Sequence, residues 1–143
     1  MTRIIVDASV LVACALSDGS SRRALFQATD VEFYVPEFIL EELRRKTPKL
    51  LALSGLPPPV LTGLIDDLFG RVDVVPRWAY AGQMKEALEL TRAAGAEGDE
   101  DYVALALALE APVWTYDKDF RRIRRIKVVR NPESALEQSR GKG

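Results

Sequence analysis

Asp7 directly follows the apolar triplet Ile4-Ile5-Val6, and Asp117 follows Trp114-Thr115-Tyr116. A carboxylate set against an apolar run is costly to bury unless it is paired, hydrogen-bonded or bound to a metal. Glu42 lies one residue before Leu43, and Asp99 sits in the acidic run Glu97-Gly98-Asp99-Glu100-Asp101. Each of these acids also has an ordinary structural role. Asp7 can cap the helix that follows it. Asp117 can stabilise a turn, with Asp119 as a near neighbour that could share its role. Asp99 can cap the next helix or belong to a solvated acidic loop, and Glu42 can lie on the exposed face of an amphipathic helix. Gathered in one pocket, however, several carboxylates repel one another and call for one or two Mg2+ or Mn2+ ions. Such ions activate water and offset the charge of a phosphodiester under attack.

What the chain lacks narrows its chemistry further. It has no histidine and one cysteine. That excludes Ser-His-Asp and Cys-His catalysis, histidine-ligated zinc, an internal disulfide and a cysteine-rich zinc site. Hydrolysis must then use carboxylates, hydroxyls, lysine, tyrosine or a hard cation held by oxygen. The formal net charge of −1 hides two patches. Acid gathers at residues 97–101, and base at Arg121, Arg122, Arg124, Arg125, Lys127 and Arg130. The basic run reads either as a rim for RNA phosphates or as a solvated surface. Arg44, Arg45, Lys46 and Lys49 would extend such a rim.

The elements that must position these residues follow from periodicity. Ile4–Val6 reads as a buried strand running into a helix. A second helix is expected over Ser20–Ala28, capped by Ser20 or Ser21. A strand at Glu32–Val35 leads into a helix with Pro36 at its first position. That helix would turn Phe38, Ile39, Leu40 and Leu43 inward, and Pro48 should end or kink it. Gly55 and the prolines at 57–59 precede a helix carrying Leu61, Leu64, Ile65 and Leu68, with Gly70 as its C-cap. Val72–Val75 is a third strand, and Met84–Ala94 a helix closed by Gly95. A buried helix over Asp99–Glu110 precedes strands at Ala111–Thr115 and Ile126–Val129. A terminal helix could begin at Asn131-Pro132-Glu133. Trp78 and Tyr80 suit core or interface, and Cys14 a buried structural thiol.

Strands alternating with helices imply an α/β fold: a single-domain α/β/α sandwich around a parallel sheet of four to five strands. With 143 residues, 48 % of them apolar and 29 % charged, the chain has the composition of one ordinary globular domain. Residues 1–138 are expected to form it, with 139–143 as a frayed tail. No apolar run is long enough to span a bilayer, and the start lacks the features of a signal peptide, so the expected location is the cytoplasm. In such sheets functional groups collect beyond the carboxyl ends of the strands. Asp7 and Asp117 would face one crevice if the first and fourth strands are neighbours.

Four segments in order resemble the motifs of the PIN-domain family. They are Ile4-Ile5-Val6-Asp7-Ala8-Ser9-Val10-Leu11, Val35-Pro36-Glu37-Phe38-Ile39-Leu40-Glu41-Glu42-Leu43, Asp99-Glu100-Asp101-Tyr102-Val103-Ala104-Leu105-Ala106, and Pro112-Val113-Trp114-Thr115-Tyr116-Asp117-Lys118-Asp119-Phe120. The resemblance covers essentially the whole chain and selects Glu42 over Glu41. It favours Asp99 over Asp101, and two residues on a helix lie about 200° apart, so both cannot face one site. It implies a Rossmann-like PIN fold and Mg2+ or Mn2+ held by Asp7, Glu42, Asp99 and Asp117, with Asp101 and Asp119 as second choices. Ser9 matches a small polar position beside the first acid, suited to a water at the metal or to an RNA phosphate, with Arg121, Arg122, Arg124 and Arg125 as further phosphate contacts.

The function implied is a metal-dependent endoribonuclease, as in the VapC toxins of toxin–antitoxin pairs or in ribosomal-RNA processing nucleases. Its partners would be RNA, an antitoxin protein and a second copy in a homodimer; Leu61, Leu64, Ile65, Leu68 and Phe69 read as core, and the resemblance implies that some of them serve such an interface. A second class is a catalytically silent PIN-fold module that binds RNA or protein. A phospho-acceptor signalling domain fits poorly, because Val72–Val75 ends in Pro76 rather than in an aspartate.

Overall fold

The computed structural model describes residues 2–131. Five parallel strands form one sheet in the order β3-β2-β1-β4-β5. They are β1 (Thr2–Val6), β2 (Val31–Pro36), β3 (Asp73–Val75), β4 (Val113–Trp114) and β5 (Val128–Val129). Ile4, Ile5 and Val6 are all fully buried. Successive side chains on a strand point to opposite faces, so both faces of β1 are covered. The helices are α1 (Ala8–Leu16), α2 (Ser20–Gln27), α3 (Phe38–Ser54), α4 (Pro58–Phe69), α5 (Arg77–Tyr80), α6 (Met84–Ala94) and α7 (Glu100–Leu109). α1 packs against α2, α3 and α4, whereas α7 packs on α5, α6 and on β1 and β2.

Chain order and sheet order part company at the centre. From β1 the chain first builds outward to β2 and β3, and later crosses to β4 on the other side. That reversal opens a crevice at the carboxyl ends of β1 and β4. Val6 is level with Trp114 in the register. Asp7 continues the pairing with its N–H on the Trp114 carbonyl at 3.0 Å. The expected adjacency of the first and fourth strands is therefore present.

Several local expectations need correction. α2 is capped by Gly19 without a side-chain bond, not by Ser20 or Ser21. Pro36 closes β2 instead of opening α3, whose cap is Glu37. Pro36 suits a strand end because it has no N–H to offer. Ile39 and Leu43 face the core, but Leu40 is 50 % exposed. Pro48 does not end α3, which continues to Ser54. Arg44, Arg45, Lys46, Pro48 and Lys49 are all exposed, so water can satisfy the carbonyl that proline leaves without a donor.

The segment from Gln83 to Lys127 holds a second hollow, of about 500 Å3, at the far end of α7 from Asp99. Glu110 and Arg125, the non-glycine residues with positive φ among those described (51° and 68°), both line it. Tyr80 is fully buried and Trp78 is 81 % exposed. Cys14 is buried, and burial pushes its thiol up to about 11. Among the described residues no helix is long and apolar enough to cross a membrane. The expected terminal helix from Asn131 and the tail boundary at 139 lie outside the described residues.

Pro48 yields a stability prediction. A proline in a helix interior costs roughly 3 kcal/mol against alanine, offset by about 1 kcal/mol because it stiffens the unfolded chain. Pro48→Ala should therefore stabilise the protein by about 1–2 kcal/mol, read as a rise in the urea midpoint at constant slope.

Candidate active site

Asp7 sits at the end of β1 because the chain there turns from strand into α1. Its side chain is 5 % exposed and caps α1 by accepting from the Ser9 N–H at 3.4 Å. The stronger bonds come from hydroxyls: Ser9 Oγ donates at 2.7 Å and Thr115 Oγ1 at 2.8 Å, both to Oδ2. Ser9 Oγ also accepts the Tyr116 N–H at 3.0 Å, and Thr115 Oγ1 accepts the Asp117 N–H at 3.0 Å. These bonds lace the end of β1 to the loop after β4. Among the described residues Oδ1 of Asp7 accepts no hydrogen bond.

Asp117 lies in that loop and accepts the Asp119 N–H at 2.9 Å through Oδ1, capping the 3-10 turn Lys118–Arg122. Glu42 lies one turn into α3, where Oε1 accepts the Tyr102 hydroxyl at 2.7 Å. Tyr102 belongs to α7 and is fully buried. Asp99 precedes α7 but makes no capping bond with its side chain. The ordinary roles are thus real for Asp7 and Asp117, and unfilled for Asp99. Each of the four keeps at least one carboxylate oxygen without a hydrogen bond among the described residues.

Electrostatics ties the four together. Burial, then the charges of Asp7, Asp117, Glu42 and Glu100, push the Asp99 carboxyl up to about 8. Burial and the Asp7 charge raise Glu42, against the Tyr102 hydrogen bond and the nearby Lys46 and Arg45, which lower it. Burial and the neighbouring Glu42 and Asp7 raise the Tyr102 phenol, so it stays a donor. Asp7, Glu42 and Asp117 thus lie close enough for their charges to act on Asp99.

The second choices point elsewhere. Asp101 is buried and accepts the Tyr80 hydroxyl at 2.7 Å and Arg77 Nε at 3.3 Å through Oδ2. Asp119 pairs with Arg122 at 2.6 Å. Ser9 gives its proton to Asp7 and accepts from Tyr116, so it braces the acid rather than facing outward. Among the basic residues, Arg121 and Arg122 stand on the turn capped by Asp117. Arg125 instead pairs with Glu86 and lines the hollow beside Glu110 and Pro112. That is the opposite end of α7 from Asp99, roughly 16 Å along the helix. The expected grouping of Arg125 with the acids does not occur.

Oxygen donors of this kind suit Mg2+ or Mn2+, and their mutual repulsion is what a cation relieves. Among the described residues, however, no group of three or more acids is already spaced as a cation site. Thr115 and Tyr102 are the contributors that residue type alone did not reveal. Thr115 lies inside the fourth motif and Tyr102 inside the third, each read only as part of a strand or of an apolar helix.

The model of the PIN domain matches residues 5–131. No curated protein matches the chain. Several solved structures are similar, two of which follow. PAE2754 from Pyrobaculum aerophilum superposes with a TM-score of 0.70 at 15 % identity, covering 98 % of this chain and 90 % of that one. VapBC2 from Rickettsia felis, bound to a DNA fragment from their promoter, superposes with a TM-score of 0.71 at 16 % identity. It covers 90 % of this chain and 98 % of that one. At such identities the likeness concerns the fold.

The Asp99 shift has a signed consequence. A carboxyl raised from the usual carboxylate range to about 8 binds more protons folded than unfolded. The metal-free protein then loses stability as pH rises from about 4 to about 8. Asp99→Asn removes that loss. Thermal scans in chelator should show the variant gaining Tm over wild type between pH 5 and pH 8, and a pH-independent difference would contradict the cause given.

Proposed function

This chain belongs to the PIN-domain family, and from that premise we propose that it is a Mg2+- or Mn2+-dependent endoribonuclease, acting as the toxin of a VapBC-type pair. The observation that carries the reading is the bracing of Asp7 and Glu42 by neutral hydroxyls, with Asp99 and Asp117 near enough for the charges of all four to interact. A pocket that concentrates negative charge to this degree serves a cation better than it serves stability.

In this reading Asp7, Glu42, Asp99 and Asp117 would hold the ion. A bound Mg2+ or Mn2+ would supply Lewis-acid chemistry, making a water more acidic and offsetting charge on the phosphodiester. Ser9 and Thr115 fix the rotamer of Asp7, and Tyr102 fixes that of Glu42. Asp99 would have to be ionised to serve as a ligand, so Mn2+ affinity should rise with pH. Arg121 and Arg122 offer cations beside Asp117 for RNA phosphates. Cleavage leaves 5′-phosphate and 3′-hydroxyl ends.

The toxin role and the antitoxin partner rest on the fold shared with VapBC2, and the cytoplasmic location is carried over from the sequence. The exposed Leu53 and Val60, on α3 and α4, support a covering partner or a homodimer. A silent RNA- or protein-binding module is the second reading, favoured by the lack of a ready-spaced trio of acids among the described residues.

Incubation of single-stranded RNA with the protein and Mn2+ separates them. Wild type should cleave and chelator should stop it. Asp7→Asn should lose roughly 100-fold or more, the scale of removing a group at the reacting centre. Equal cleavage by wild type and an Asp7→Asn, Asp99→Asn double variant would sink the proposal. An intact fold with no Mn2+ binding would favour the silent module.

A further inference from the structure

Glu42 and Asp99 arrive on two different helices, and one residue outside the acid set touches the start of both. Arg77 opens α5, the short helix between β3 and α6. Its backbone N–H donates to the carboxylate of Glu37, the residue that caps α3. Its Nε donates to Asp101 Oδ2 in the first turn of α7, and that oxygen also takes the Tyr80 hydroxyl. Glu37 is held from the sheet side too, its N–H on the Val75 carbonyl at 2.9 Å.

The Arg77–Asp101 pair adds little to global stability, since the arginine side chain is 50 % exposed. What it does set is direction. On the inner side, α3 and α7 meet through the Tyr102–Glu42 hydrogen bond. On the outer side they meet through Arg77. The first turn of α7 is thus tied at Tyr102 to Glu42 and at Asp101 to α5, through the Tyr80 hydroxyl and the Arg77 guanidinium, and Arg77 is the residue that also bonds the cap of α3.

We propose that Arg77 is a positioning residue for the acid site, fixing the spacing of Glu42 and Asp99 by joining the first turns of α3 and α7. The inference rests on the reading of those acids as an ion-holding site. It assigns α5 a role that neither the motifs nor the acids themselves describe. Ligands held in place by supporting contacts lose about 10- to 100-fold in metal affinity when the support is removed.

The test is Mn2+ calorimetry on the full chain without RNA, followed by cleavage kinetics. Arg77→Met should weaken Mn2+ binding about 10-fold or more and leave Tm nearly unchanged. Arg77→Lys should recover part of the affinity, because an ammonium can still reach Asp101. Asp101→Asn should give a loss similar to that of Arg77→Met, and the double variant no more than either alone. Unchanged Mn2+ affinity in Arg77→Met, beside a wild type that binds and cleaves, overturns the proposal. So does a higher KM for RNA at unchanged Mn2+ affinity, which would make the guanidinium a phosphate contact. A wild type that neither binds Mn2+ nor cleaves overturns the ribonuclease reading and this inference with it.

Discussion

Like charges in one pocket must be held against their own repulsion, and the rest of this molecule is organised around that constraint. The holding groups are mostly neutral hydroxyls. Ser9 and Thr115 donate to Asp7, and Tyr102 donates to Glu42. Neutral donors stabilise a carboxylate without cancelling its charge, whereas an arginine in the same place would neutralise it. Full ion pairs are kept to the outside, at Arg77 with Asp101 and at Arg122 with Asp119. The sheet topology makes the crowding feasible. Reversal of the strand order beside β1 brings the ends of β1 and β4 together.

Much of this was legible in the chain. Asp7 could be placed from Ile4-Ile5-Val6, because an apolar run that stops at an acid marks the end of a buried strand. Asp117 followed for the same reason after Val113-Trp114. Glu42 was not legible from physics alone: an acid on an exposed helix face and one aimed at a crevice have the same local sequence. It needed the family's second motif. The choice between Asp99 and Asp101 shows the limit most clearly. Both precede one apolar helix, and only the contact with Tyr80 and Arg77, twenty-one and twenty-four residues away, separates a braced acid from one without a partner.

The misreadings share a cause. Pro36 and Pro48 were interpreted by local rules, as a helix start and a helix stop. Pairing with β3 extended β2 through Pro36, and solvent exposure let α3 continue past Pro48. Arg125 was grouped with the acids because it is near Asp117 in sequence. A parallel strand must begin at the end opposite to that where its predecessor finished, so the path from β4 to β5 carries Arg125 away from the crevice.

β4 and β5 contribute two residues each to the sheet, against five for β1. Yet β4 is an interior strand, flanked by β1 and β5, and Val113, Trp114 and Thr115 are buried. The loop after it is tied back to the end of β1 through Ser9 and Thr115, which bond the Tyr116 and Asp117 N–H groups as well as the Asp7 carboxylate. Displacing Asp117 would therefore disturb the hydroxyls that hold Asp7, so these two carboxylates form one mechanical unit despite standing 110 positions apart in the chain.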